Sequence, residues 1–453
     1  GLDVEVMKTG GLGGLFFSIP NARFVHQQLL ASPRLAGQVT AVAPQIEGKL
    51  LYLRTADGRE VPVRAGGEIP SATRAVGAPA AVSSGRWEDD AGDQRWMSPT
   101  LAELRHDIDH FHQPPAGLAS PASWGEWHYF NVLSPDRSRW TFISFIVAGD
   151  VASGDPLRWG GQVLVTTHRQ GTGAGGGVAR RYTATFPSPQ VRWSTTDADL
   201  AIGPNSVTVL EDGRYRVRAR ARAEDGGTAD LDLVVAPAPR AYFPGATLLS
   251  GDFASGYAVA GLRSDATGSL CERGECVRYE GVQAYHDHNW GTWQGVTWEW
   301  GATRAGAYTI LYGRVNPPES ARAGGATAGE GGASSPLFVY VVDSLGFRAL
   351  FRPREIRYED GRTIQVDGRP LRVPSRAELY DVRGADTLRL VLEVEDATAT
   401  DTRQGLVERG EGEYARRLAR PWFVQMKGSA RLSGRSGGSA LSGVGAGFFE
   451  TYR

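Results

Sequence analysis

Apolar residues along the chain fall in short runs separated by turn residues, and few stretches carry the three-to-four-residue spacing of a buried helix face. Residues 140–147 predict a buried strand ending near Gly149-Asp150, and residues 162–167 a second. From 215 to 223 arginine alternates with apolar or small residues, so Arg216, Arg218, Arg220 and Arg222 share one face. A turn at Asp225-Gly226-Gly227 then leads into Asp230-Leu231-Asp232-Leu233, which predicts a hairpin with the Arg face opposite Asp230 and Asp232. Strands follow over 308–315, 337–342, 347–351, 388–394 and 422–426, with Asp360-Gly361 read as a hairpin turn and 448–452 as a closing strand. Residues 45–55 and 59–64 read as a further hairpin. Helix is expected only over 21–30 and over 99–110, where Leu101, Leu104 and Ile108 fall on one side. Residues 317–336, rich in Gly, Ala and Ser, read as a loop, and Ala236-Pro237-Ala238-Pro239 as a linker.

This pattern describes an all-β protein, and the 453 residues suffice for two or three domains with a core large enough to enclose a cavity. Lys plus Arg number 49 against 50 Asp plus Glu, a net charge of -1, which offers no strong field for nucleic acid or an anionic membrane. No apolar run reaches membrane-spanning length, so no integral membrane segment and a soluble protein are expected. The chain begins at Gly1, so the lack of a leader does not separate a cytoplasmic from an exported protein. Cys271 and Cys276 flank a turn at Gly274; a local disulfide and two free thiols are equally compatible with that spacing.

The chemistry concentrates in Tyr285-His286-Asp287-His288-Asn289-Trp290. On a strand, Tyr285, Asp287 and Asn289 share one face and His286, His288 and Trp290 the other. Trp290, Trp293, Trp298 and Trp300 follow closely, four of the 12 tryptophans, and build an apolar wall. A carboxyl group beside such a wall has its pKa raised by desolvation. It can then deliver a proton to a carbon–carbon double bond, with aromatic faces stabilising the cation formed. A hydrogen-bonded structural network with the tryptophans as plain core accounts for the same residues equally well.

The stretch 284–291 resembles the signature of the carotenoid 1,2-hydratase (hydroxyneurosporene synthase) and AttH-like lipocalin superfamily. Glu126-Trp127-His128-Tyr129-Phe130-Asn131 resembles an element near the start of that family's first β domain, with His128 in place of a Trp. The resemblance covers about residues 120–453. It implies two consecutive lipocalin-like antiparallel β-barrel or sandwich domains with few short helices, at 116–240 and 241–453, after a β-containing extension over 1–115. It also implies Asp287 as proton donor and Tyr285 as its helper. Trp127, His128, Tyr129, His286, His288, Asn289, Trp290, Trp293, Trp298 and Trp300 would contact an apolar, terpenoid or isoprenoid-like substrate. The superfamily and its fold relatives hydrate or cyclise, so a hydratase (lyase), a cyclase or isomerase, a Diels–Alderase-like pericyclase of a polyketide and a non-catalytic lipid carrier are the activities in view. The His-x-Trp pair that precedes the signature in carotenoid hydratases is absent, since residues 241–284 hold neither His nor Trp.

A metal centre is the rival reading. On a helix His106 and His110 would share a face, and His286 and His288 could chelate from a strand, but neither segment supplies third and fourth ligands of its own. No metal and no cofactor are therefore expected. The sequence also lacks a phosphate-binding loop, a dinucleotide fingerprint and a Gly-x-Ser-x-Gly nucleophile elbow.

Overall fold

The structure, a computed structural model, describes residues 15–17, 39–42, 45–46, 49–50, 52–55, 60–62, 108–114, 118, 121–170, 178–250, 253–316, 318, 337–344, 346–366, 368–403, 412–436 and 438–453. The expected helix over 21–30, most of that over 99–110, and the loop over 317–336 apart from Pro318 lie outside these residues. Tyr52–Thr55 pairs with Glu60–Pro62, as the hairpin expected there requires.

Nearly all of the remainder is antiparallel strand. Strands β1 (Trp124–Leu133), β2 (Arg139–Gly149), β3 (Trp159–Arg169) and β4 (Val178–Pro187) form a meander. Three short strands follow, β5 (Val191–Trp193), β6 (Leu200–Ile202) and β7 (Asn205–Val209), and lead into the hairpin β8 (Tyr215–Arg222) and β9 (Thr228–Pro237). After β10 (Phe243–Ser250), the long strands β11 (Phe253–Glu272) and β12 (Glu275–Thr292) return. Strand β11 pairs with β9, β12 with β1, and β4 with β8, which closes an eight-stranded barrel. Closure leaves no free edge among these strands, and the side chains that alternation points inward fill the interior. Phe130, Phe145, Val163, Tyr182, Val217 and Leu233 all lie in that interior core.

The β8–β9 hairpin forms as its alternation predicts. Tyr215, Val217, Ala219 and Ala221 face inward, while Arg216 and Arg218 reach Asp232 and Arg220 reaches Asp230 outside. These half-exposed ion pairs contribute little to stability, so the inward row decides the register.

Two expectations about boundaries give way. Ala236-Pro237 lies within β9, still paired with β11 at Asp265 and Ser264, so the Ala-Pro stretch does not separate the two sheets. The chain passes from the barrel to a second sheet at 293–296 instead. Asp360-Gly361 does not make a hairpin either. Strand β17 (Ile356–Glu359) pairs with β20 (Arg376–Arg383), and β18 (Arg362–Val366) pairs with β19 (Arg369–Val373). The tight turn falls before Arg369, where Gly368 takes the positive φ of 75° that a glycine accepts without strain.

The second sheet contains β13 (Thr297–Ala305), β14 (Tyr308–Asn316), β15 (Phe338–Asp343), β16 (Gly346–Phe351), β17, β20, β21 (Asp386–Asp401), β22 (Trp422–Ser436) and β23 (Ser439–Tyr452). Its order is β16-β15-β14-β13-β23-β22-β21-β20-β17. The C-terminal strand β23 thus lies mid-sheet rather than at an edge. One face of the sheet curls over its own core, with Tyr312, Val339, Leu390 and Phe449. The other packs on the outside of the barrel, where Trp140, Tyr257 and Tyr285 meet Trp300, Tyr340 and Phe448. Buried His168 and Asp396 also meet between barrel and sheet, Nδ1 lying 2.8 Å from Oδ2. Among the described residues one α-helix forms, Gly412–Arg417, and no helix is long and apolar enough to cross a membrane.

Cys271 and Cys276 are joined in a disulfide across the tip of the β11–β12 hairpin.

Candidate functional site

The two motifs singled out in the sequence are cross-strand neighbours. In the β12–β1 register Asn289 lies opposite Trp127, Asp287 opposite Tyr129 and Tyr285 opposite Asn131. These six side chains share the outer face of the barrel wall. On the inner face Trp290 lies opposite Glu126, His288 opposite His128 and His286 opposite Phe130. The alternation of a two-residue period divides one conspicuous stretch into two constellations on opposite sides of the same pair of strands.

Four of the six outer side chains, Trp127, Tyr129, Asp287 and Asn289, line a cavity of about 1360 Å³ between the barrel wall and the second sheet. The wall of the barrel contributes Trp127, Tyr129, Phe142, Ile146, Asp287 and Asn289. The second sheet and the segment leading to it contribute Trp293, Trp298, Trp300, Phe423, Glu450 and Tyr452. The indoles run as a band: Trp127 and Trp293 ring centres are 4.5 Å apart, Trp293 and Trp298 5.8 Å, and Trp298 and Tyr452 5.0 Å. A space of this size accommodates a ligand larger than a typical drug molecule, against a mostly apolar lining.

Two carboxyl groups interrupt that lining, and their hydrogen-bond donors are neutral. Asp287 accepts from the Tyr285 hydroxyl at 2.7 Å and from Asn289 Nδ2 at 2.7 Å, and Trp300 Nε1 donates to the Tyr285 oxygen at 2.9 Å. Glu450, on β23, accepts from Tyr129 at 3.2 Å, Gln425 at 3.1 Å and Trp298 at 3.0 Å. Burial pushes the Asp287 carboxyl up to about 6, against the pull of its Tyr285 hydrogen bond. Burial likewise pushes Glu450 up to about 7, with the Asp287 charge adding to the rise. Burial and the adjoining carboxylates hold both phenols, Tyr129 and Tyr285, well above the usual range, so they remain donors. Two acids in one apolar site, both raised toward neutrality, constitute an arrangement suited to proton transfer near neutral pH.

The inner constellation is buried inside the barrel. Asp109, from the short segment before β1, points between the histidines, with Oδ2 2.7 Å from His286 Nε2 and Oδ1 2.6 Å from His288 Nδ1. Tyr215 donates to Asp109 Oδ2 at 2.5 Å. Although burial opposes the charge, His128 and His286 hold the Asp109 carboxyl well below the usual range. Burial pushes His128 down to about 3. Burial also pulls on His288, but its contacts with Asp109 and Glu126 push it up to about 9.

The expected contact residues therefore part company. Trp127, Tyr129, Asp287, Asn289, Trp293, Trp298 and Trp300 line the cavity. Tyr285 stands one layer behind, beside a void of about 20 Å³, and reaches the cavity through Asp287. His128, His286 and His288 do not line the cavity; strand alternation turns them into the barrel. Trp290 is turned the same way and stacks on His112 at 3.8 Å. Glu450 was not among the expected site residues. Its signal was one acid in the otherwise apolar and aromatic run Phe448-Phe449-Glu450-Thr451-Tyr452, on a face with Phe448 and Tyr452. Asp109 gave no such signal, because its partners lie up to 179 positions away.

No protein-family model and no curated protein matches the chain. Solved structures of similar shape include a provisionally named AttH from Nitrosomonas europaea, at 15% identity and a TM-score of 0.46, covering 76% of this chain and 97% of that one. Kievitone hydratase from Nectria haematococca matches at 14% identity and a TM-score of 0.44, covering 76% of this chain and 96% of that one. CghA matches at 15% identity and 0.40, over 76% and 94%.

Proposed function

We propose that the chain is an enzyme that binds an apolar, isoprenoid-like substrate between barrel and second sheet and protonates one of its carbon–carbon double bonds. The observation that carries this reading is the pair of buried carboxyl groups, one from each sheet, set in the wall of a large aromatic cavity. Asp287 is the proton donor. Tyr285 and Asn289 occupy one lone pair on each of its oxygens and fix its plane, which leaves the acidic O–H to point into the cavity. Protonation of the alkene carbon breaks the O–H and the π bond and leaves a carbocation. The faces of Trp127, Trp293 and Trp298 stabilise that charge. Glu450, as carboxylate, then takes a proton either from the oxonium formed when water adds, or from the carbon beside the new cation left when an internal alkene attacks and closes a ring. Water capture makes the protein a hydratase; internal capture makes it a cyclase.

The experiment is turnover of a panel of linear isoprenoid alkenes by wild type, Asp287→Asn and Glu450→Gln, with products read by mass spectrometry. A mass gain of one water marks hydration, and an unchanged mass with altered retention marks cyclisation. Full turnover by Asp287→Asn would remove the acid role from that residue. A pericyclic route asks only for shape, exclusion of water and a hydrogen bond, so it would survive that result.

A further inference from the structure

We propose that Asp109, His128, His286 and His288 form a four-coordinate site for a divalent, zinc-class cation inside the barrel, on the side of β12 away from the cavity. The site stands independently of the reading of the cavity, since it uses none of the same side chains.

His128 Nε2 faces the Ala198 carbonyl at 2.8 Å and His286 Nδ1 faces the Tyr129 carbonyl at 3.0 Å. A carbonyl only accepts, so each of these nitrogens carries the proton. The other nitrogen of His128, Nδ1, is then a lone pair. It is fully buried, makes no hydrogen bond, and lies 3.4 Å from Asp109 Oδ1. A lone pair facing a carboxylate in an apolar interior is repulsive unless a cation stands between them. His286 presents Nε2 to the same carboxylate at 2.7 Å. His288 presents Nδ1 at 2.6 Å, while its Nε2 lies 2.9 Å from Glu126 Oε1, off the line of a hydrogen bond.

Protons alone satisfy this cluster badly. His286 faces acceptors at both ring nitrogens, and His288 faces Asp109 at Nδ1 with Glu126 near Nε2 but off the line of a hydrogen bond. Both rings lie close to His128, whose ring centre is 5.2 Å from His286 and 4.5 Å from His288. One dication shared by the cluster lets all three imidazoles be neutral ligands. It also balances the Asp109 and Glu126 carboxylates.

The geometry agrees. Ligating atoms of Asp109, His128 and His286 lie within 4.8 Å of one another. With bonds of roughly 2.0 Å, tetrahedral ligands are about 3.3 Å apart; the 3.4 Å from His128 Nδ1 to Asp109 Oδ1 matches that value, and the 2.7 Å from His286 to Oδ2 and 2.6 Å from His288 to Oδ1 are hydrogen-bond lengths that a bound ion would widen. Ligating histidines characteristically give their second N–H to a backbone carbonyl or a carboxylate, and ligating carboxylates are themselves hydrogen-bonded. Ala198 and Tyr129 accept from His128 and His286, Glu126 Oε1 lies 2.9 Å from His288 Nε2, and Tyr215 donates to Asp109. Imidazole with one carboxylate is a donor set for zinc rather than for calcium or magnesium. Phe111 covers the site from the N-terminal side, its ring centre 5.1 Å from His128 and 4.8 Å from His288. The ion would pin residues 109–112 to β1 and β12.

The test uses the full chain, stripped with a chelator and reloaded with Zn(II) or Co(II). We expect one zinc per chain by elemental mass spectrometry after gel filtration, and the strong visible absorption of four-coordinate Co(II). X-ray absorption of the zinc form should count three imidazoles and one oxygen. Glu126→Gln should weaken binding about 10- to 100-fold, and His128→Ala should abolish it, while His112→Ala keeps the stoichiometry. Absence of retained zinc together with absence of the cobalt band in wild type overturns the proposal in favour of a protonated network. Loss of metal in His112→Ala with retention in His128→Ala overturns the ligand set in favour of His112, Glu126 and His288. The wild-type absorption measurement decides the matter even where a variant fails to fold, because a count below three imidazoles contradicts the assignment.

Discussion

At the scale of single residues, burial raises the pKa values of two carboxyl groups toward neutrality. Asp287→Asn is near-isosteric and retains an acceptor for Tyr285, so it should fold and lose about 10²- to 10⁴-fold in turnover, the range general acid catalysis supplies. Steady-state kinetics on the same substrate check this, with KM little changed. Glu450 makes a separate prediction about pH. Its folded pKa of about 7 lies above the ordinary value of 4.5, so the folded state binds the extra proton between these limits. Stability from this group is therefore fully present below about 4.5 and is lost as pH rises through 7. Urea unfolding at pH 5 and pH 8 should show Glu450→Gln gaining stability relative to wild type at the higher pH. The sequence revealed the Tyr285, Asp287 and Asn289 face because alternation is a local property. It did not reveal the pairing of Asp287 with Glu450, because that depends on how two sheets meet.

At the scale of elements, close approaches between β13 and β14 position the cavity wall. Trp300 lies opposite Gly313, and a Cβ there would stand 2.4 Å from the Trp300 ring. Gly301 lies opposite Tyr312 with the same 2.4 Å approach. Each ring thus lies over a bare backbone position on the neighbouring strand. Gly313→Ala should push Trp300 off its place, break its hydrogen bond to Tyr285 and weaken binding of a neutral fluorescent probe such as N-phenyl-1-naphthylamine. Fluorescence titration measures this, and undiminished affinity would contradict the placement of Trp300 in the wall. The disulfide matters less. Its sequence separation of 5 closes so short a loop that chain entropy accounts for roughly 2 kcal/mol at most. Cys271→Ser with Cys276→Ser should lower the urea midpoint modestly and leave probe binding intact. The Arg216–Asp232 hairpin was readable because its partners are close in sequence. The false hairpin at Asp360-Gly361 arose because a turn signal says where a chain bends, not which strands then pair.

At the scale of the molecule, barrel and second sheet share one core around Tyr129, Trp140, Tyr285, Trp300 and Phe448. Calorimetry should therefore show a single transition for the two sheets, and two well-separated transitions would contradict their shared core. An all-β fold was legible from strand spacing, but barrel closure was not, because β12 returns across more than a hundred residues to pair with β1. The most direct measurement of the central claim is turnover of an isoprenoid alkene in heavy water. Proton delivery from Asp287 predicts one non-exchangeable deuterium on carbon in each product molecule, and loss of that product in Asp287→Asn. Product formed at the normal rate with no carbon-bound deuterium would contradict acid catalysis in this cavity.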